Sequence, residues 1–320
     1  MNTEHLEANW DVAIVGGGSA GLSAALTLAR ARRSVLVIDS GTPRNAPAAA
    51  VHGLLGHESI NPSQLLAKGR AEASSYGAKI VDAVVGEASG TAEEGFILRL
   101  DNGTTQRAGQ VLVATGVRDD LPAIPGLADR WGRDVVHCPY CHGWEIRDQR
   151  IGLIATGPMS AMQAILFHQW SADLCFFLND IEIPTEQLDK LRALNVRVVP
   201  GSVQGIEVTN DQLTGALLHD GTSVPLDALA VPTKIHARLD GLTGLALGTT
   251  ENAMGVSVHV DEAGRTSVPG VWAAGNVMGP WMQVSEAVAN GARVAMTINT
   301  ELALAHAGHA MTTPSTTTGS

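Results

Sequence analysis

Apolar and polar positions along this chain keep switching between two periods, and the switches outline its elements. Residues 12–15 form a short apolar run, and residues 22–31 place apolar residues at helical spacing. A second strand is expected at 34–38. Loop follows from 41 to 62, then a helix at 62–76 and strands at 79–85, 96–100 and 106–113, with Asp101-Asn102-Gly103 as a turn. Two prolines mark 118–126 as a crossover. The pattern then restarts: strands at 151–154, 174–178 and 196–199 alternate with helices at 160–170 and 185–194. Strands are also expected at 205–208, 213–218 and 224–231. A Gly/Thr-rich connector, 241–250, leads to a strand-rich segment, 256–276, and a helix over 280–299. Two βαβ series in one chain predict an α/β fold with two Rossmann-like domains.

Between the first strand and the first helix stands Gly16-Gly17-Gly18-Ser19-Ala20-Gly21. Strand, G-x-G-x-x-G and helix in this order lay a dinucleotide pyrophosphate on a helix N-terminus. Gly16 permits the tight turn, Gly18 lets phosphate approach the backbone, and Gly21 lets the helix pack on the strand. The second strand runs into Asp39-Ser40, and Asp39 lies eighteen residues beyond Gly21. An acid at that distance accepts the adenosine ribose hydroxyls.

Composition narrows the class. The chain has 320 residues, 45% of them hydrophobic, which is enough for two domains. Net charge is −11 and no stripe of Lys or Arg occurs, so neither nucleic acid nor an anionic membrane is an expected partner. No apolar run approaches the ~20 residues of a membrane span. Residues 1–9 are polar and acidic, unlike a signal peptide, so a cytoplasmic setting is expected, where thiols are kept reduced. Three cysteines there are not a structural framework, and a close pair reads as catalytic or metal-binding.

That pair lies in His137-Cys138-Pro139-Tyr140-Cys141-His142-Gly143-Trp144-Glu145. Its spacing lets two sulfurs close a small disulfide loop. His142, first, and His137, second, are candidate bases for a thiol. Glu145 either orients an imidazole or is a solvated carboxylate. Cys-Pro-Tyr-Cys is also the motif of glutaredoxins, but there it opens a small domain rather than following a dinucleotide fingerprint. Cys-x-x-Cys-His matches c-type haem attachment, which requires export. Zinc on His137, Cys138, Cys141 and His142 would strain tetrahedral closure, and no metal is expected. His52 and His57 read as polar loop residues and Cys175 as a buried small hydrophobe. Tyr140 and Trp144 are divided between core and substrate contact, with the core favoured.

With these motifs in place, the chain resembles the low-molecular-weight thioredoxin reductase family of FAD proteins over about residues 10–300. The marks are the glycine turn at 16–21, Ala114-Thr115-Gly116, the mid-chain Cys-x-x-Cys, and the stretch Thr266-Ser267-Val268-Pro269-Gly270-Val271-Trp272-Ala273-Ala274-Gly275-Asn276. The resemblance implies FAD on Gly16, Gly18, Ser19, Ala20, Gly21, Asp39, Ser40, Thr115, Gly116, Gly275 and Asn276. It puts Gln283 and Val284 at a helix N-terminus facing the flavin ring. The family usually ends its last motif in Gly-Asp; Asn276 keeps hydrogen bonding without the charge. Also implied are a homodimer and three-layer ββα domains. An FAD-binding domain of 1–117 and 245–306 is interrupted by a smaller NAD(P)-binding-like domain, 118–244, that carries the cysteines. The polar, Thr-rich residues 307–320 are expected to be a disordered tail.

The second nucleotide site departs from the family. Its GxGxxA is replaced by Ala155-Thr156-Gly157-Pro158-Met159-Ser160, in which Pro158 removes an N–H from a loop that should cradle phosphate. Asn179-Asp180-Ile181-Glu182-Ile183-Pro184 offers two acids and no arginine for a 2′-phosphate. An NADH site with Asp180 on the ribose is the alternative. Cys-Pro-x-Cys-His-Gly-aromatic-Glu is similar to the branch that forms disulfides in dithiol natural products, such as the oxidases of gliotoxin, holomycin and romidepsin biosynthesis. That likeness implies an FAD-dependent dithiol oxidase. Electrons pass from a small-molecule dithiol through Cys138 (the outward sulfur) and Cys141 to FAD and then to O2, giving H2O2. The rival readings are an NAD(P)H-dependent thioredoxin reductase and a flavin-binding redox sensor without turnover.

Overall fold

The computed structural model describes residues 6–312. The chain begins with β1 (Leu6–Val15), α1 (Ser19–Arg30), β2 (Val35–Asp39), α2 (Pro62–Ser75) and β3 (Lys79–Asp82), then turns back through β4 (Val85–Thr91), β5 (Gly95–Leu100) and β6 (Thr105–Val113). The sheet order is β3-β2-β1-β6-β5-β4. β6 lies parallel to β1 along its length, and its first half also pairs antiparallel with β5. Side chains alternate across a strand, so β1 feeds two cores. Val12 and Ile14 pack with Ala24 and Leu28 of α1, while Ala13 and Val15 pack with Phe96 and Leu98 of the meander. Burial on both faces is why residues 12–15 are continuously apolar.

The chain leaves this unit along β7 (Val117–Asp120) and continues through α3 (Leu127–Arg130), β8 (Val135–Val136), α4 (Pro139–His142), β9 (Ile151–Ile154), α5 (Ser160–Phe167), β10 (Leu174–Phe177), α6 (Thr185–Ala193) and β11 (Arg197–Val199). An antiparallel meander follows, β12 (Val203–Thr209), β13 (Gln212–Leu218) and β14 (Ser223–Pro225), and then β15 (Ala228–Ala230). The parallel sheet runs β11-β10-β9-β15-β8. It repeats the first unit's plan: Leu153 and Phe176 meet Ala161 and Phe167 of α5, and Ile154 and Phe177 meet Leu213 and Ala216 of the meander. The fold is α/β with two Rossmann-like units, each a helical layer, a parallel sheet and an antiparallel meander.

The chain returns along β16 (Lys234–Ala237), antiparallel to β7, so the outgoing and returning crossings lie side by side. β17 (Thr249–Asn252) and β18 (Gly255–Val258) complete this small sheet, and β19 (Val271–Ala273) joins β6. The last helix, α7 (Val284–Thr312), lies along α1. At their crossing a β-carbon on Gly291 would run into the carbonyl oxygen of Ala20.

Four differences from the sequence reading bear on how segments are divided or ended. Residues 79–85 are not one strand, because β3 and β4 part at Ala83 and Val84 to opposite ends of the same sheet. Residues 224–231 likewise split into β14 and β15, which belong to different sheets. The crossover at 118–126 begins as strand β7, formed by pairing with a segment more than a hundred residues away. The tail expected to be disordered from 307 is helical to Thr312, as the end of a helix that runs through Glu301-Leu302-Ala303-Leu304-Ala305, all good helix formers; residues 313–320 lie outside the described residues. Among the described residues, no helix is long and apolar enough to cross a membrane.

Overpacking a tight crossing typically costs about 1–3 kcal/mol. Gly291→Val is expected to lower the unfolding free energy by about that amount, read as an earlier midpoint in urea at unchanged slope.

Candidate functional site

A cavity of about 740 Å³ brings together what the sequence keeps far apart. Gly16, Gly18, Ser19, Ala20, Asp39, Ser40, Thr115, Gly116, Gly275, Asn276, Gln283 and Val284 all line it, as do His137, Cys138, Cys141 and His142. Gly21 does not. It lies below the wall, where a β-carbon would strike the carbonyl oxygen of Gly16 and push α1 off the turn.

The nucleotide half follows from the glycine turn. Gly16 sits at φ 110°, against the backbone of Ala114, a place for glycine alone. Gly18 is the N-cap of α1, and no side chain caps that helix. Nothing lies within 4 Å of where a β-carbon on Gly18 would stand. The start of a twelve-residue helix is thus left open, with its N–H groups and positive dipole end available to a pyrophosphate. Asp39 is held in place by Arg70, whose Nη1 donates to Oδ2 at 2.9 Å. Thr115 Oγ1 is buried and has no hydrogen-bond partner among the described residues. An open helix end, an oriented acid and an orphaned hydroxyl around one cavity fit FAD.

The redox half is built by one short turn. Cys138 is the extended N-cap of α4, Pro139 fixes the first helical φ, and His142 N donates to Cys138 O at 3.2 Å. The turn brings the two cysteine Cα atoms to 5.3 Å, and Cys138 and Cys141 are joined as a disulfide. Gly143 closes the turn against the Trp170 ring, with no room for a β-carbon.

Two histidines flank the pair in different states of support. His137 Nδ1 lies 3.3 Å from the Val231 carbonyl oxygen and 3.4 Å from Thr233 Oγ1. A carbonyl only accepts, so Nδ1 carries the proton and Nε2 is the free acceptor. Thr233 Oγ1 in turn donates to Asp119 Oδ1 at 2.6 Å, and Arg44 grips both oxygens of Asp119 at 2.6 Å. Burial would raise the Asp119 carboxyl, but Arg44 and Thr233 hold it below its usual range. Burial, reinforced by the charge of Arg44, pushes His137 below the ordinary imidazole value. His142 is also lowered by burial, with Glu145 opposing, and its buried Nδ1 has no partner among the described residues. Both rings therefore stay neutral to lower pH than a free histidine and can accept a thiol proton.

Some neighbours were not foreseen. His52, read as a polar loop residue, lines the cavity and lies between two carboxylates: Nδ1 is 2.6 Å from Glu58 Oε1 and Nε2 is 3.4 Å from Glu145 Oε1. Glu145 therefore meets His52, tying the loop after β2 to the redox turn. The one local signal was Glu58 close behind His52 in the same loop. Arg44, Asp119 and Thr233 come from three distant segments and left no local signal. Tyr140 and Trp144, favoured for the core, are 61% and 64% exposed. The Tyr140 ring stands edge-on to Trp170 and Arg147 lies over Trp144, so turn geometry rather than hydropathy placed them outside. His57 is exposed and Cys175 is buried, each as read from the sequence; Arg197 reaches the Cys175 sulfur at 2.9 and 3.1 Å.

The degenerate second turn has its own occupant. Ser160 Oγ accepts from Thr156 N at 3.0 Å and from Gly157 N at 3.2 Å. Ser160 is fully buried, so two N–H groups of the kind that cradle phosphate are satisfied from within the chain.

Residues 10–291 match the pyridine nucleotide-disulphide oxidoreductase family. The chain is 32% identical to "Thioredoxin reductase tcpT" of Claviceps purpurea, over 91% of this chain and 94% of that protein. It is 30% identical to "Thioredoxin reductase sirT" of Leptosphaeria maculans, over 91% and 93%. Among solved structures, the crystal structure of HlmI superposes with a TM-score of 0.88 at 40% identity, covering 95% of this chain and 96% of that one. An oxidoreductase from Agrobacterium tumefaciens gives 0.87 at 35% identity, covering 93% and 99%.

His142→Ala is expected to slow reduction of the cysteine pair by dithiothreitol by about 10²–10⁴-fold, the usual worth of a positioned base. Stopped-flow kinetics read this directly. Because both imidazoles are shifted down, the wild-type rate should hold as pH falls through about 6.5, where an unshifted histidine would already have lost half its basic form.

Proposed function

Because this chain belongs to the pyridine nucleotide-disulphide oxidoreductase family and is a disulfide oxidoreductase, we propose a narrower activity for it. It is an FAD-dependent oxidase that closes a disulfide in a small-molecule dithiol, with O2 as the final acceptor: R(SH)2 + O2 → RS2 + H2O2. The observation that carries this reading is Ser160 in the second nucleotide turn. Its hydroxyl holds the N–H groups of Thr156 and Gly157, while Pro158 supplies none. Nicotinamide is thereby disfavoured as the electron source, and the dithiol takes that place. The division into 1–117 with 245–306 and 118–244 belongs to the same proposal, supported by the adjacent crossings β7 and β16. The homodimer and the cytoplasmic setting rest on family likeness and composition.

A substrate thiol loses its proton to Nε2 of His137 or to the His142 imidazole and attacks Cys138. The Cys138–Cys141 bond breaks and Cys141 leaves as a thiolate. The second substrate thiol then attacks the sulfur bound to Cys138, the cyclic disulfide departs, and both cysteines are left reduced. Burial of the imidazoles keeps them neutral and ready for each proton. FAD, when bound, supplies the two-electron acceptor that reoxidises the pair and passes the electrons to O2. It would be held by the turn at 16–20, Asp39, Thr115-Gly116 and Gly275-Asn276, with Gln283 and Val284 at the start of α7. The Gln283 N–H is itself taken by Glu286 Oε2 at 2.8 Å.

The names of the relatives favour a second reading, an NAD(P)H-dependent thioredoxin reductase. One anaerobic titration separates the two. Dithiol alone is expected to bleach the flavin, with one peroxide per dithiol when air is admitted, and Cys138→Ser should abolish both. Rapid bleaching by NADPH or NADH would establish the reductase instead, and bleaching by neither would leave a sensor.

A further inference from the structure

Asn276 lies at the end of β19's loop, where its side chain does more than line the cavity. Its Nδ2 lies 2.9 Å from Met282 O, 3.0 Å from Pro280 O and 3.3 Å from Gly279 O. Three carbonyl oxygens around one atom assign that atom as the nitrogen, because a carbonyl oxygen there would face three others. No described residue donates to Oδ1. The amide's two donor hydrogens are therefore spent on the turn, and only an acceptor is left for a ligand.

That turn, Gly279–Met282, runs directly into Gln283 and the first residues of α7. Met282 N donates to Gly279 O at 3.0 Å, and Gln283 N donates to Glu286 Oε2. Asn276 Nδ2 is the side-chain donor that gathers the carbonyl groups of this turn. An aspartate of the same shape reverses the interaction, since its ionised carboxylate accepts only and would stand against three carbonyl oxygens.

We propose that Asn276 is a positioning residue: its amide clamps the Gly279–Met282 turn and fixes where α7 begins. The clamp stands on this chain's own contacts. Its effect on bound flavin rests on the cavity being the FAD site.

The test compares N276D and N276A with the wild type by hydrogen exchange of the Met282 and Gln283 amides in the purified protein. At pH 8, N276D should exchange about tenfold faster than the wild type, the equivalent of one or two lost hydrogen bonds. N276A, which removes the donor without adding charge, should also exchange faster than the wild type. The visible flavin spectrum of N276D should shift, because Met282, Gln283 and Val284 line the same cavity. Wild-type exchange in N276D overturns the clamp. If N276D does not accumulate, wild-type exchange in N276A overturns it equally. A protein that shows the exchange effect but holds no flavin would sink the cofactor reading and leave the clamp standing.

Discussion

Close approach of backbone at the start of α1 is the constraint on which the rest of this structure depends. Gly16 lies against Ala114, Gly21 lies over the carbonyl oxygen of Gly16, and Gly291 of α7 lies against the carbonyl oxygen of Ala20. Gly275 completes the group, with its β position 2.7 Å from the Ala20 methyl. Four segments spread over the whole chain can converge only because these positions lack side chains. Their convergence leaves the N–H groups of α1 uncapped at a cavity wall and sets 114–116 and 275–276 beside them. The open helix end is a cost unless a ligand satisfies it, which is the physical sense of a site built this way.

The redox turn depends on that frame through polar contacts rather than packing. Arg44, from the loop after β2, reaches Asp119 on β7; Asp119 receives Thr233 from the approach to β16; Thr233 faces His137. A charge such as that of Asp119, nearly excluded from water, is tolerable only when fully paired, and Arg44 pairs it on both oxygens. His52 and Glu145 make a second tie between the same loop and the cysteine turn. The cysteine pair is thus fastened to the nucleotide half at two points, and burial favours the neutral form of the imidazoles beside it.

Much of the site was legible because its chemistry is local. The glycine turn, Asp39 at the end of β2 and the Cys-x-x-Cys motif each require particular residues at fixed spacing, and spacing survives in a sequence. His137 and His142 were visible because they flank the cysteines. His52, Arg44, Asp119 and Thr233 were not, since an ion pair or hydrogen bond between distant segments imposes no pattern on either one. Tyr140 and Trp144 misled in the opposite sense: aromatic character suggested the core, but a single helical turn that packs Pro139 and Gly143 inward sends them out.

Alone, the sequence determined the α/β class, the two repeated units, the dinucleotide fingerprint and the thiol pair. Hydrophobic period and motif spacing are short-range properties that each segment carries within itself. Tertiary structure decided where each strand sits, as the splits at Ala83 and after Pro225 show: β3 and β4 go to opposite ends of one sheet, and β14 and β15 to different sheets, because strand pairing depends on partners remote in sequence. It also decided that Ser160 fills its own phosphate turn and that Asn276 spends its amide on three carbonyl groups. The donors and acceptors involved are common residue types, and only their distances in space make them specific.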